Sequence, residues 1–134
     1  MQAKGIHHLG VAVENLDEAV ETYQSVFGAE VEHREAVPSQ GVEAAAMRVG
    51  DSRVELLRAL DEDTPVGKFI ASRGPGMHHV AYEVTDLEGQ LRRLSEQGVE
   101  LIDEEPHEGL FGLEVAFIHP HAAHGVLAEL VASG

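Results

Sequence analysis

The chain has no cysteine and no tryptophan, and only 9 lysine and arginine residues stand against 24 aspartate and glutamate. The missing cysteine excludes disulfides, thiolate chemistry and cysteine-based zinc or iron–sulfur sites. The shortage of basic residues leaves a formal net charge of -15. That argues against nucleic-acid binding, because neutralising phosphates needs clustered lysine and arginine. It argues equally against docking on an anionic membrane surface. No apolar run approaches the roughly 20 residues that span a bilayer. Met1-Gln2-Ala3-Lys4-Gly5 also lacks the apolar stretch of a signal peptide. The expectation is one soluble cytoplasmic domain of 134 residues, with no membrane and no nucleic-acid partner. What the chain does have is 9 histidines, four of them in two adjacent pairs. That composition suits a site of imidazoles and carboxylates, although many surface histidines have no such role.

The chain is written twice. Ile6-His7-His8-Leu9-Gly10-Val11-Ala12-Val13 returns 71 residues later as Met77-His78-His79-Val80-Ala81-Tyr82-Glu83-Val84. Arg53-Val54-Glu55-Leu56-Leu57 likewise matches Leu127-Ala128-Glu129-Leu130-Val131. Two copies are too few for a solenoid and read as an internal duplication with a pseudo-twofold axis. In the first copy, residues 6–13 alternate as a strand and Asn15 caps a helix with Glu18 at its third position. Leu16, Ala19, Val20, Tyr23 and Phe27 form one apolar stripe on that helix, and Gly28 ends it. Strands are expected over 29–35, 41–49 and 52–58. In the second copy Asp86 caps a helix over 87–97, with strands near 99–103, 112–118 and 126–131. Thr64-Pro65 opens a short linker helix over 65–72. The expected architecture is α+β: two tandem βαβββ modules, about 5–60 and 77–132, joined by a linker over 61–76.

Strand alternation decides which side chains share a face. Val54 and Leu56, like Val126, Ala128 and Leu130, form apolar rows suited to lie under the helices. Glu55 and Glu129 sit between those neighbours and point the other way. His8 and His79 hold equivalent places on the two first strands. A twofold axis would bring all four together inside a cupped mixed sheet, as a nitrogen and oxygen set for Mn, Fe, Co, Ni or Zn. A lone strand histidine is more often hydrogen-bonded structure, and a lone strand glutamate usually faces solvent. Recurrence of the same His-then-Glu pair, 47 and 50 residues apart, favours the metal. His7 and His78 have the wrong parity and are expected on the helix side or at the module interface. His33, His107 and His124 are expected at the surface, and His119 either lines a pocket or closes a turn.

The duplicated pattern with His8, Glu55, His79 and Glu129 resembles the vicinal oxygen chelate superfamily, and within it the methylmalonyl-CoA epimerase family. Supporting stretches include Val37-Pro38-Ser39-Gln40-Gly41-Val42, Gly76-Met77-His78-His79-Val80-Ala81, Phe117-Ile118-His119-Pro120 and Gly125-Val126-Leu127-Ala128-Glu129-Leu130. The resemblance implies a metal-dependent epimerase that interconverts (R)- and (S)-methylmalonyl-CoA by abstracting the α-proton. Its ligands are His8, Glu55, His79 and Glu129, holding one divalent metal ion (Co, Mn, Ni, Zn or Mg), and it acts on an acyl-CoA as a homodimer. Two functions compete with this one: a glyoxalase I-type lyase, and a non-catalytic small-ligand binding protein of the same fold. The departures concern substrate. His121 follows Pro120 where a basic residue is usual, and Glu108-Gly109-Leu110-Phe111-Gly112-Leu113 is bulky where a small loop is common. Coenzyme A phosphates need local help from Arg34, Arg48, Lys68 or Arg73. Ala44 stands where some members carry a catalytic glutamate. The proton carriers expected are Glu129 and its mate Glu55. Should Glu55 stay a pure ligand, its part falls to Glu43, Glu104 or a bound water. Glu43 can take it only if its strand is bulged.

Overall fold

The computed structural model describes residues 1–133 and contains the repeat as two βαβββ modules. The first is β1 (Gly5–Ala12), α1 (Leu16–Phe27), β2 (Glu30–Val37), β3 (Val42–Val49) and β4 (Ser52–Ala59). After the linker helix α2 (Pro65–Arg73) comes the second: β5 (Gly76–Val84), α3 (Leu87–Glu96), β6 (His107–Glu108), β7 (Glu114–Ile118) and β8 (Ala128–Ala132). Two compact units result, one over His8–His78 and one combining Met1–His7 with the chain from His79 onward. The helix starts follow from their caps. Asn15 Oδ1 accepts the Glu18 N–H at 2.9 Å, Thr64 Oγ1 that of Gly67 at 3.1 Å, and Asp86 Oδ1 that of Gly89 at 3.3 Å. Each satisfies one of the orphan donors of a first helical turn. Gly28 ends α1 in the left-handed region at φ 66°, where a Cβ would be strained.

In the first module the strand order is β2-β3-β4-β1. β1 runs parallel to β4, with Gly10 beside Glu55, and β4 runs antiparallel to β3. One face packs against α1: Leu16, Ala29, Ala45, Met47 and Leu56 are buried together, with Val11, Val20, Tyr23 and Val54 around them. Cutting a leucine such as Leu56 back to alanine there costs ~2–5 kcal/mol. The second module orders β5-β8-β7-β6 and packs Leu87 and Leu91 of α3 on Val84, Ala116 and Leu130. Val126 departs from its expected place. It precedes β8 and is 45 % exposed.

The expected strand at 99–103 does not form. Only Leu101 bridges, to Ile118, and the short pairing strand lies at His107–Glu108 instead. The backbone N–H groups of Ile102 and Asp103 both donate to the Phe117 carbonyl, at 3.0 and 3.1 Å. The Asp103 carboxylate takes the Phe117 N–H at 2.8 Å. A side chain thus replaces a ladder rung, and Pro106 has no N–H to restore one. By contrast β2 does form despite its three glutamates. Glu30 pairs with Arg48 at 3.0 Å and Glu32 with Arg53 at 2.8 Å.

Glu43 is the hub of the polar network on the helix face of the first module. It meets Arg58 at 3.1 Å and Arg34 at 3.2 Å, and Arg34 also reaches Asp17 at 2.7 Å. The Arg58 hydrogen bond, ahead of the Arg34 one, holds the Glu43 carboxyl below its ordinary value, against a smaller opposing effect of burial. A carboxyl whose folded pKa is depressed contributes stability above its unfolded pKa, and that contribution disappears as pH falls through the folded one. Urea denaturation at neutral pH should therefore show Glu43→Gln less stable than the wild type. The gap should close in acid, below the folded pKa of Glu43.

Candidate metal centre

Each module builds one histidine–carboxylate pair on the sheet face turned away from its helix. In the first, parallel pairing sets Gly10 beside Glu55, so His8, two residues earlier in β1, shares that face. His8 Nδ1 stands 3.1 Å from Glu55 Oε2. In the second, Ala81 lies beside Glu129, which puts His79 on the carboxylate's face. His79 Nε2 is 3.4 Å from Glu129 Oε1. The four side chains are 3–6 % exposed. Among the described residues the buried polar side chains are these four and Gln90. Gln90, which no sequence motif singles out, serves α3, its Nε2 donating to the Thr85 carbonyl at 3.1 Å.

A buried carboxylate is costly unless paired. An imidazole answers that cost only in part, because it carries a full charge only when both ring nitrogens hold a proton. Both pairs combine one ring nitrogen with one anionic oxygen, the donor types that borderline divalent cations take. The residues present therefore fit the metal that the family resemblance implies.

The remaining histidines divide differently from expectation. His78 packs its ring edge-on to Phe69 of α2, with centroids 5.0 Å apart. His119 closes a turn, its Nδ1 accepting the His121 N–H at 3.1 Å. His124 is exposed, as expected. His33 and His107 are not plain surface residues. His33 is half-buried, pairs across to Ala46 in the row of Glu55, and faces Glu35 at 3.0 Å. His107 is half-buried, 3.1 Å from Asp103, and stacks on Phe117 at 6.3 Å between centroids. A His-x-Glu alternation in a strand and an Asp-to-His spacing of four residues were the available signals for these two pairs.

The bulge that would turn Glu43 toward Glu55 is absent. Register between β3 and β4 runs unbroken from Val42 to Val49. Ala44 and Ala46 share the face of Glu55, while Glu43 lies opposite with its two arginines. Glu104 is exposed. Phe117, which carried no functional weight in the sequence, stands directly across from Glu129. Its ring meets His79 edge-on, at 5.7 Å and 87°.

The family model described as Glyoxalase/Bleomycin resistance protein/Dioxygenase superfamily matches residues 7–117. The mitochondrial methylmalonyl-CoA epimerase of Bos taurus is 36% identical over 126 residues, covering 93% of this chain and 72% of that protein. The ethylmalonyl-CoA/methylmalonyl-CoA epimerase of Cereibacter sphaeroides is 34% identical, covering 93% and 95%. A solved structure of a Streptomyces coelicolor methylmalonyl-CoA epimerase variant, in complex with 2-nitronate-propionyl-CoA, superposes with a TM-score of 0.95 at 37% identity. That match covers 99% of this chain and 96% of the other. With a fold shared over its whole length, and a family match that spans both first strands and their helices, the chain belongs to the glyoxalase/bleomycin resistance/dioxygenase superfamily.

Proposed function

We propose that this protein is an epimerase of a 2-methyl-branched malonyl-CoA thioester, with His8, Glu55, His79 and Glu129 as the ligands of one divalent cation. The observation that carries the reading is the same one in both repeats: an imidazole beside a carboxylate, buried, on the sheet face opposite the helix. The Bos taurus and Cereibacter sphaeroides relatives described above are epimerases of this substrate class.

The substrate's C2 proton lies between a thioester carbonyl and a carboxylate, so its removal leaves negative charge delocalised onto the thioester oxygen. A divalent cation held by the four residues would supply Lewis-acid stabilisation of that charge. The protein's own task is to move protons on both faces of the planar carbon. Glu129, ionised, takes the proton on one face, while Glu55, its counterpart in the repeat, enters the step protonated and gives its proton to the other face; the reverse reaction exchanges the two roles. Each positioned carboxylate contributes ~10²–10⁴-fold to such a transfer. Glu43 is unsuited to the second role, because it faces the helix layer and is held by Arg34 and Arg58.

The test of function is NMR of 2-methylmalonyl-CoA with purified protein in deuterated water. The expected result is exchange of the α-proton together with interconversion of stereoisomers. Turnover of a glutathione hemithioacetal without that exchange would establish the glyoxalase reading instead. For the ligand set, elemental analysis should find that His8→Ala and His79→Ala each lose bound metal and activity; full metal stoichiometry and activity in both would put the site elsewhere. For the proton carriers, Glu55→Gln keeps an oxygen donor and loses the basic carboxylate. It should retain metal and lose epimerisation by ~10²–10⁴-fold, while still exchanging the α-proton of one stereoisomer. Wild-type epimerisation by that variant would remove Glu55 as a base.

A further inference from the structure

The pairing that places Phe117 opposite Glu129 sets their backbones one strand spacing, roughly 5 Å, apart, so the aromatic side chain shares a sheet face with the carboxylate assigned to the proton. The residue is half-buried. One edge contact, to His79, fixes it on one side; stacking with His107, tilted only 26°, fixes it on another. Its backbone is held as tightly. The Phe117 N–H donates to Asp103 Oδ2 at 2.8 Å, and its carbonyl accepts from both Ile102 and Asp103. The same Asp103 oxygen lies 3.1 Å from His107 Nε2. One carboxylate therefore sets both the strand position of the phenyl ring and the orientation of the imidazole stacked on it. The next residue, Ile118, turns to the other face and packs with the α3 core.

We propose that Phe117 is the wall that limits the size of the α-substituent on the substrate, and that Asp103 and His107 are its positioning residues. The inference rests on the epimerase reading above and adds a specificity determinant to it. C2 of the substrate carries a proton, a carboxylate, a thioester carbonyl and an alkyl group. Three of these are committed to polar chemistry. The alkyl group alone gains from an apolar surface, and Phe117 is the large apolar side chain directly across from Glu129. A ring clamped on both sides cannot move aside for a longer substituent, so an added methylene meets a rigid surface. Discrimination by one methylene in an apolar pocket is worth ~10–200-fold in kcat/KM.

The experiment compares kcat/KM for ethylmalonyl-CoA and methylmalonyl-CoA in the wild type, Phe117→Leu, Asp103→Asn and Ile118→Val, with metal content measured on each. Phe117→Leu should raise the ethyl-to-methyl ratio by ~10-fold or more at unchanged metal content. Asp103→Asn should raise it too, by less, because the ring is loosened rather than shortened. Ile118→Val, on the opposite face, should leave the ratio where it was. If Phe117→Leu does not fold, Asp103→Asn carries the test alone. A wild type that epimerises neither thioester sinks the epimerase reading and this inference with it. An active wild type whose ratio is unmoved by Phe117→Leu, or by Asp103→Asn where that stands alone, overturns the wall and leaves the epimerase reading in place.

Discussion

A carboxylate taken out of water must be answered by something beside it, and this requirement organises both modules. Glu55 and Glu129 are 6 % and 4 % exposed, and in each case the answering group within the module is an imidazole on the neighbouring first strand. An isolated ionised carboxylate in such surroundings would be protonated or would destabilise the fold. The parallel pairing of first and last strands, β1 with β4 and β5 with β8, supplies the neighbour. It is a costly arrangement to keep twice in a small protein. The metal site proposed above would give a reason for keeping it.

The helix-facing core makes the arrangement hold. A strand slipped by one residue would exchange its faces, sending Leu56 to the site and Glu55 under α1. The apolar set Ala45, Met47 and Leu56 against Leu16 forbids that slip in the first module, and Ala116 and Leu130 against Leu87 and Leu91 forbid it in the second. Hydrophobic burial on one face thus fixes the chemistry on the other. It also decides the fate of Glu43, whose odd position in β3 commits it to the helix side with Arg34 and Arg58.

What was legible in the sequence was whatever depended on local period or on repetition. The caps at Asn15, Thr64 and Asp86, the stop at Gly28, the two first strands and the faces of Glu55 and Glu129 all follow from rules spanning a few residues. What escaped depended on contacts between distant segments. The segment 99–103 has strand-like residues, yet Asp103 spends its carboxylate on the Phe117 backbone and the ladder is lost there. His33 and His107 read as surface residues because nothing adjacent in sequence buries them. Their places are set by Ala46 across one pairing and by Phe117 and Asp103 across another. Repetition, moreover, points only to what both copies share. It is silent on Phe117, since the corresponding site-face position across from Glu55 is Ala46.

The acidic composition also has a local meaning that a net charge of -15 conceals. Most of the few cations are already engaged by carboxylates: Lys4 with Glu83, Arg34 with Asp17 and Glu43, Arg48 with Glu30, Arg53 with Glu32, and Arg58 with Glu43. Of the four residues expected to help with coenzyme A phosphates, Arg34 and Arg48 are therefore committed within the first module. Lys68 and Arg73 are the other two, both on α2, and Arg73 lies over the Phe69 ring at 5.6 Å. Any anionic ligand approaching this protein meets a repulsive long-range field, which salt screens over about 8–10 Å. Close attraction has to come from a few short-range contacts. Under the function proposed above, a divalent cation at the imidazoles and carboxylates would be the strongest of them, and would serve both substrate affinity and charge stabilisation.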